Sequence, residues 1–316
     1  MSASAKHKTT VGIALGSGSA RGWSHIGVIN ELKSLGVEPD IVAGSSIGAL
    51  VGAAYAADQL ERLEDWTKAL DWRGILKYLD PTLLGGGLIQ GEKLTDLVAD
   101  YVEDLHFEDL PRRLGVVATE LETGREIWFR EGLVMHAVRA SIGLPGVFTP
   151  IAHEGRWLVD GGLANPVPVS LCRAMGADLV IAVNLNGDIL GRYFRREEQQ
   201  VATEVEAQAG GELFWDRLAG QLKNGLSTRK DMLFARLLGE RRGNPGLYEV
   251  LASSINIMQD RLTRSRMAGD PPDIIITPRL SQLGLMEFDR AEFAIEEGCR
   301  AVKLMRPALE SLLEGI

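Results

Sequence analysis

Two glycine-bounded turns, each set between a short apolar run and a helical pattern, constrain this chain more than any other feature. Val11–Leu15 reads as a buried strand, Gly16 to Gly22 as a small-residue turn, and the following residues as a helix through about Leu35. The pattern then repeats: residues 41–43 read as a strand, Gly44 to Gly48 as a second turn, and a small-residue helix runs to Ala57. Further strands are expected near 114–119, Glu126–Phe129 and 179–184, with helices at 59–72 and 92–102. Strand–turn–helix repetition of this kind predicts an α/β fold with a mainly parallel central sheet covered by helices on both faces. Gly124 marks a hairpin turn, so part of the sheet is expected to be antiparallel.

Between Gly187 and Gly243 charges become dense, β-branched residues thin out and helix formers dominate, which reads as a helical insertion over 187–243. Asn244-Pro245 supplies an N-cap and a first-turn proline for a helix whose expected inward face is Leu247, Leu251, Met258 and Leu262. Asp270-Pro271-Pro272 stops it, Ile274–Ile276 resumes as a strand, and 289–304 closes the chain as a helix. The expected organisation is an N-terminal tail over 1–10 and one α/β domain over 11–316 that carries the insertion. With 316 residues, 45% of them hydrophobic, the chain has ample material for one core. A net charge of −9 argues against a general nucleic-acid-binding surface. Cys172 and Cys299 show no metal-ligand spacing and read as buried free thiols of a reducing compartment. The polar opening lacks the apolar core of a signal peptide, and the apolar stretch from Ile47 to Ala57 is too short to span a bilayer. A cytoplasmic location is therefore expected.

Gly44-Ser45-Ser46-Ile47-Gly48 has the G-x-S-x-G spacing of a nucleophile elbow, a sharp strand-to-helix turn that lifts a serine out of the sheet. Gly44 and Gly48 permit the crowded backbone, and the helix N-terminus beyond favours developing negative charge. Ser46 then needs a base. None of His7, His25, His106, His136 and His153 lies near the C-terminus, so the Ser…Asp…His order of an α/β-hydrolase cannot be built. Each of these histidines reads as structural or solvated. The better base is Asp160, at the end of the apolar run Leu158-Val159 and followed by Gly161 and Gly162, where burial can raise a carboxylate's basicity. Without Ser46 the same residues would read as an ordinary Asp-Gly-Gly turn. The loop Gly16-Ser17-Gly18-Ser19-Ala20-Arg21-Gly22 can present backbone N–H groups to an oxyanion, with Arg21 and Gly22 supporting it. Alone, that loop and Asp40 would also fit a dinucleotide site. No metal-ligand set is expected.

In this order the elements resemble the patatin-like phospholipase family, most closely its bacterial subgroup related to neuropathy target esterase. The resemblance rests on Leu15 to Gly27, Gly44 to Gly48, Asp160-Gly161-Gly162 and the Pro/Phe loop at 141–150, with Pro145, Phe148 and Pro150. It covers about 11–185 and resumes at 244–305. It implies a three-layer α/β/α fold and cofactor-free acyl transfer to Ser46, with Asp160 as base and the amides of Ser17, Gly18 and Ser19 as oxyanion donors. The chain departs from the family's usual glycine run in carrying Ser17 and Ser19.

The function expected is therefore a serine esterase or lipid acyl hydrolase, with a lipid or ester substrate. The alternatives are a dinucleotide-binding oxidoreductase and a low-turnover regulatory binding protein on the same fold. Phe214, Leu218, Leu222 and Leu226 recur at helical spacing among basic residues. They suit packing on the core or on a second copy in a homo-oligomer, or alternatively a peripheral contact at the inner membrane surface.

Overall fold

A computed structural model describes residues 9–70, 104–188 and 247–314. The strands are β1 (Val11–Leu15), β2 (Ile41–Ser45), β3 (Arg113–Glu120), β4 (Glu126–Phe129), β5 (Ile151–His153), β6 (Arg156–Val159), β7 (Leu179–Val183) and β8 (Ile274–Ile276). The helices are α1 (Ser24–Ser34), α2 (Ile47–Ala56), α3 (Leu60–Ala69), α4 (Val134–Ser141), α5 (Val169–Ala174), α6 (Leu247–Gly269) and α7 (Ala291–Glu314). The expected helix at 92–102, the insertion beyond Asp188, its stripe Phe214, Leu218, Leu222 and Leu226, and the Asn244-Pro245 cap lie outside the described residues.

The sheet runs in the order β5-β6-β3-β2-β1-β7-β8, with β4 also paired to β3. Strands β3, β2, β1, β7 and β8 are mutually parallel, whereas β4 and β6 pair antiparallel with β3, and β5 pairs antiparallel with β6. The chain steps outward from β1 through β2 to β3, then returns to place β7 and β8 on the other side of β1. Such a reversal opens a crevice at the carboxyl ends of the strands.

Side-chain alternation decides the layering. Ile13, Leu15, Val42, Ile181 and Val183 point into one apolar layer shared with α1, α2, α4 and α7. Ala14, Ala43, Val180 and Ala182 point into the opposite layer, beneath Val169, Leu171 and Cys172 of α5. Bulky residues on one face and small ones on the other let short α5 sit close to the sheet, and the result is a three-layer α/β/α sandwich. Among the described residues no helix is long and apolar enough to cross a membrane.

Four expectations change. The last helix does not end near 304 but continues through Pro307 to Glu314, because Leu309 and Leu312 still pack on the core. Residues 151–159 form a β-hairpin around Glu154 and Gly155, of which the apolar run Leu158-Val159 is legible in the sequence but the pairing is not. Helix α6 turns the opposite face inward: Leu251 and Met258 are exposed, while Gln259, Asp260 and Thr263 are buried. The thiols also differ, since Cys172 is buried but Cys299 only partly so, and both are free.

Helices α1 and α7 cross almost backbone to backbone. A Cβ on Gly27 would lie 1.9 Å from the carbonyl oxygen of Ile295, and one on Gly298 would lie 2.1 Å from that of Ser24. Gly298→Ala is therefore expected to cost about 3 kcal/mol, the upper range for overpacking, read as a lowered urea midpoint. An unchanged midpoint would show that the crossing tolerates a methyl group.

Candidate active site

Ser46 sits between the last residue of β2 and the first of α2, with φ 56° and ψ −125°. L-residues rarely adopt this backbone conformation, and it persists only where surrounding packing enforces it. Here the enforcement is contact with β1. A Cβ at Gly48 would lie 2.1 Å from the Leu15 carbonyl oxygen, and one at Gly44 would lie 2.5 Å from that of Gly48. The Ser46 N–H donates to Ser141 Oγ at 2.8 Å, so α4 clamps the turn from the other side. The Ser46 hydroxyl donates to Asp160 Oδ2 at 2.5 Å, across a separation of 114 residues.

Asp160 follows β6 and caps the short 3-10 turn Gly161–Leu163. Its Oδ1 accepts from the Gly162 N–H at 2.8 Å, its N–H donates to Gly143 O at 2.9 Å, and Thr119 Oγ1 donates to its carbonyl at 2.8 Å. Backbone and side chain are both fixed. The carboxyl group is 1% exposed. Burial pushes its pKa up to about 6, while the hydrogen bonds from Ser46 and Gly162 pull the other way. A carboxylate in that range is a stronger base than an ordinary aspartate, yet still ionised at neutral pH.

The loop after β1 is only partly as expected. The Ser17 N–H donates to Pro166 O at 2.8 Å and is thus already committed to holding the loop. No acceptor among the described residues is seen for the N–H groups of Gly18 and Ser19, and both residues line the cleft beside Ser46. Arg21 is buried, with Nε on Gly18 O at 3.3 Å and Nη2 on Asn256 Oδ1 at 3.0 Å. Gly22 lies against the Ile47 side chain, and Gly161 against the Val117 carbonyl.

The cleft encloses about 630 Å³ including its open mouth. Ile142, Leu144 and Phe148 from the Pro/Phe loop, with Ile255, Leu285 and Phe288, give it apolar walls, and Asn256 and Gln259 add two amides. An apolar cleft with a few convergent polar groups suits a ligand with a hydrocarbon portion and one polar reacting centre. Among the described residues no group of His, Cys, Asp and Glu could hold a metal ion.

Neither partner of the Ser46 side chain and amide is a histidine. His25 is buried with Nε2 2.8 Å from Gly16 O, and burial lowers its pKa to about 4, so it braces the loop as a neutral ring. His136 Nε2 and His153 Nδ1 lie 3.0 Å apart and pack on Phe129. His106 is exposed beside Glu108, and His7 lies outside the described residues. Asp40 precedes β2 and accepts the Val11 N–H at 3.1 Å, at the edge of the sheet opposite the glycine loop. The ribose contact of a dinucleotide site belongs at the carboxyl end of that strand, so the dinucleotide reading loses its acid. Thr119, Asn256 and Gln259, and the bond of Ser141 to the Ser46 amide, escaped the sequence reading, because no local spacing announces a partner so distant in the chain.

A family model described as patatin-like phospholipase matches residues 13–173. An NTE family protein of Mycobacterium tuberculosis is 35% identical over 91% of this chain and 89% of its own length. Patatin-like phospholipase domain-containing protein 6 of Homo sapiens is 31% identical over 66% of this chain and 15% of that protein. Among solved structures, VipD from Legionella pneumophila is similar over 96% of this chain and 68% of that chain, at 15% identity and a TM-score of 0.46.

The burial of Asp160 has a measurable consequence for stability. Its folded pKa of about 6 lies above the ordinary 3.8, so the folded state binds the proton more tightly than the unfolded chain. Stability therefore falls as pH rises from about 4 to 6, and the deficit persists above that window. Asp160→Asn removes the buried charge and is expected to stabilise by about 1–3 kcal/mol at pH 7.5 and by nothing below pH 4. Thermal midpoints across that range check it, and equal shifts at both pH values would contradict it.

Proposed function

The chain belongs to the patatin-like phospholipase family, and from that premise we propose that it is a serine acyl hydrolase acting on lipid esters through Ser46 and Asp160. The observation that carries this reading is the 2.5 Å hydrogen bond from the Ser46 hydroxyl to a buried carboxylate, at the floor of an apolar cleft. Ser46 Oγ attacks the ester carbonyl carbon as its proton passes to Asp160 Oδ2. The carbonyl oxygen becomes an oxyanion that accepts hydrogen bonds from the Gly18 and Ser19 N–H groups. Collapse breaks the bond to the alcohol, which leaves with the proton from Asp160. Water then attacks the acyl-enzyme, giving its proton to Asp160, and the fatty acid departs as Ser46 recovers the proton.

Each group suits its task. The strained elbow holds Oγ in one position, so little orientational freedom remains to be lost on the way to the transition state. The amides are fixed before reaction and need no reorganisation as charge develops. The apolar walls exclude water from the acyl chain and strengthen those interactions. Asp160 is matched to proton transfer near neutral pH by its burial, with no histidine relay.

Ser46→Ala is expected to abolish labelling by a fluorophosphonate probe, and Asp160→Asn to slow ester turnover about a thousandfold with the fold retained. Equal labelling of wild type and Ser46→Ala would overturn the reading. Labelling of Ser46 without sustained turnover would favour the low-turnover binding role instead. Because the base must be ionised, kcat/KM is expected to rise through about pH 6 and level off above it. A profile already flat at pH 5, where an ordinary aspartate is ionised, would show that Asp160 is not the titrating base.

A further inference from the structure

Helix α6 buries the wrong face for its composition. Val250, Leu251, Ile257 and Met258 are 45–56% exposed, whereas Gln259, Asp260 and Thr263 are at most 5% exposed. A helix that could bury an apolar stripe and buries an amide, a carboxylate and a hydroxyl instead breaks the usual patterning rule, and such breaks concentrate at functional sites. The inward residues make specific contacts. Gln259 Oε1 accepts from Asn186 Nδ2 at 3.2 Å, and Asn256 Oδ1 accepts from Arg21 Nη2 at 3.0 Å. Asn256 and Gln259, one turn apart, both line the cleft that holds Ser46.

The Asn256 contact reaches the reacting centre through one covalent plane. Gly18 O accepts from the backbone N–H of Arg21 at 3.2 Å and from Arg21 Nε at 3.3 Å. In a trans peptide the carbonyl and the next N–H point in opposite directions, so fixing Gly18 O fixes the Ser19 N–H. Ser19 has φ 53°, an unfavourable conformation for a serine that needs outside support. A guanidinium is a rigid planar fork, and holding Nη2 on one helix aims Nε at Gly18 O. We infer that Asn256 is a positioning residue, orienting the Ser19 amide for the oxyanion through Arg21 and thereby tying turnover to the docking of α6. This rests on the acyl-hydrolase reading above.

The test uses the full chain, a fluorophosphonate probe and a chromogenic acyl ester. Asn256→Leu removes the acceptor while keeping the volume. Asn256→Asp keeps an oxygen facing Arg21, and Met258→Gln, on the exposed face, controls for disturbance of the helix. Asn256→Leu is expected to lower kcat and the phosphonylation rate together by at least about tenfold, a fraction of the effect of deleting an oxyanion donor. KM and the midpoint of the pH profile should stay in place, because Asp160 is untouched. Asn256→Asp should restore most of the rate, and Met258→Gln should leave it unchanged.

A double-mutant cycle guards against a folding artefact. In an Arg21→Lys background, which has no Nη2, Asn256→Leu is expected to cost less than twofold more. Wild-type labelling by Asn256→Leu, equal losses in Asn256→Leu and Asn256→Asp, or fully additive losses in the cycle would each overturn the inference. If Ser46→Ala still labels, the acyl-hydrolase reading fails and takes this inference with it. If Ser46→Ala is silent and Asn256→Leu is normal, only the inference fails.

Discussion

A carboxylate almost wholly withdrawn from water must be compensated, and the compensation around Asp160 organises the surrounding structure. Its two oxygens take one hydrogen bond each, from the Gly162 N–H and the Ser46 hydroxyl. Neither donor is charged, so the burial penalty is only partly offset and the group stays a stronger base than usual. That balance needs Asp160 immobile, which explains why its N–H and carbonyl are tied to Gly143 and Thr119. It also needs Ser46 delivered to one point, which explains the tight elbow on β1 and the clamp from Ser141.

The fold supplies these parts from one end of the sheet, where the parallel strands finish. The glycine loop follows β1, Ser46 follows β2, and Asp160 follows β6. Because β1 and β2 are parallel and adjacent, both of their carboxyl ends open on the same side, and the loops there share a cleft. The Pro/Phe loop serves twice, anchoring Asp160 through Gly143 and walling the cleft with Leu144 and Phe148. Closure from the far side comes from α6, contributed late in the chain, so the cleft is complete only when the C-terminal part of the fold has docked.

Much of this was legible in the sequence where local chemistry dictates local shape. The β1–α1–β2–α2 segment follows from apolar period and glycine placement, and Ser46 and Asp160 each stand at a strand end bounded by glycines. What failed was direction and partnership. Three consecutive residues, Ser17, Gly18 and Ser19, looked equivalent as amide donors, but tertiary contact gives the Ser17 N–H to Pro166. Asp40 had a tempting spacing yet precedes its strand, so it lies at the wrong edge. The apolar periodicity of α6 pointed Leu251 and Met258 inward, whereas the loops around the site select its amides. Periodicity reports which faces differ, and only the rest of the molecule decides which face is turned in.

The most direct test of the central claim is to locate the covalent adduct. Wild-type protein treated with a fluorophosphonate, digested and mapped by mass spectrometry is predicted to carry one modification, on Ser46. An adduct on any other serine, or none under conditions where ester hydrolysis proceeds, would contradict a mechanism built on the hydrogen bond between Ser46 and Asp160.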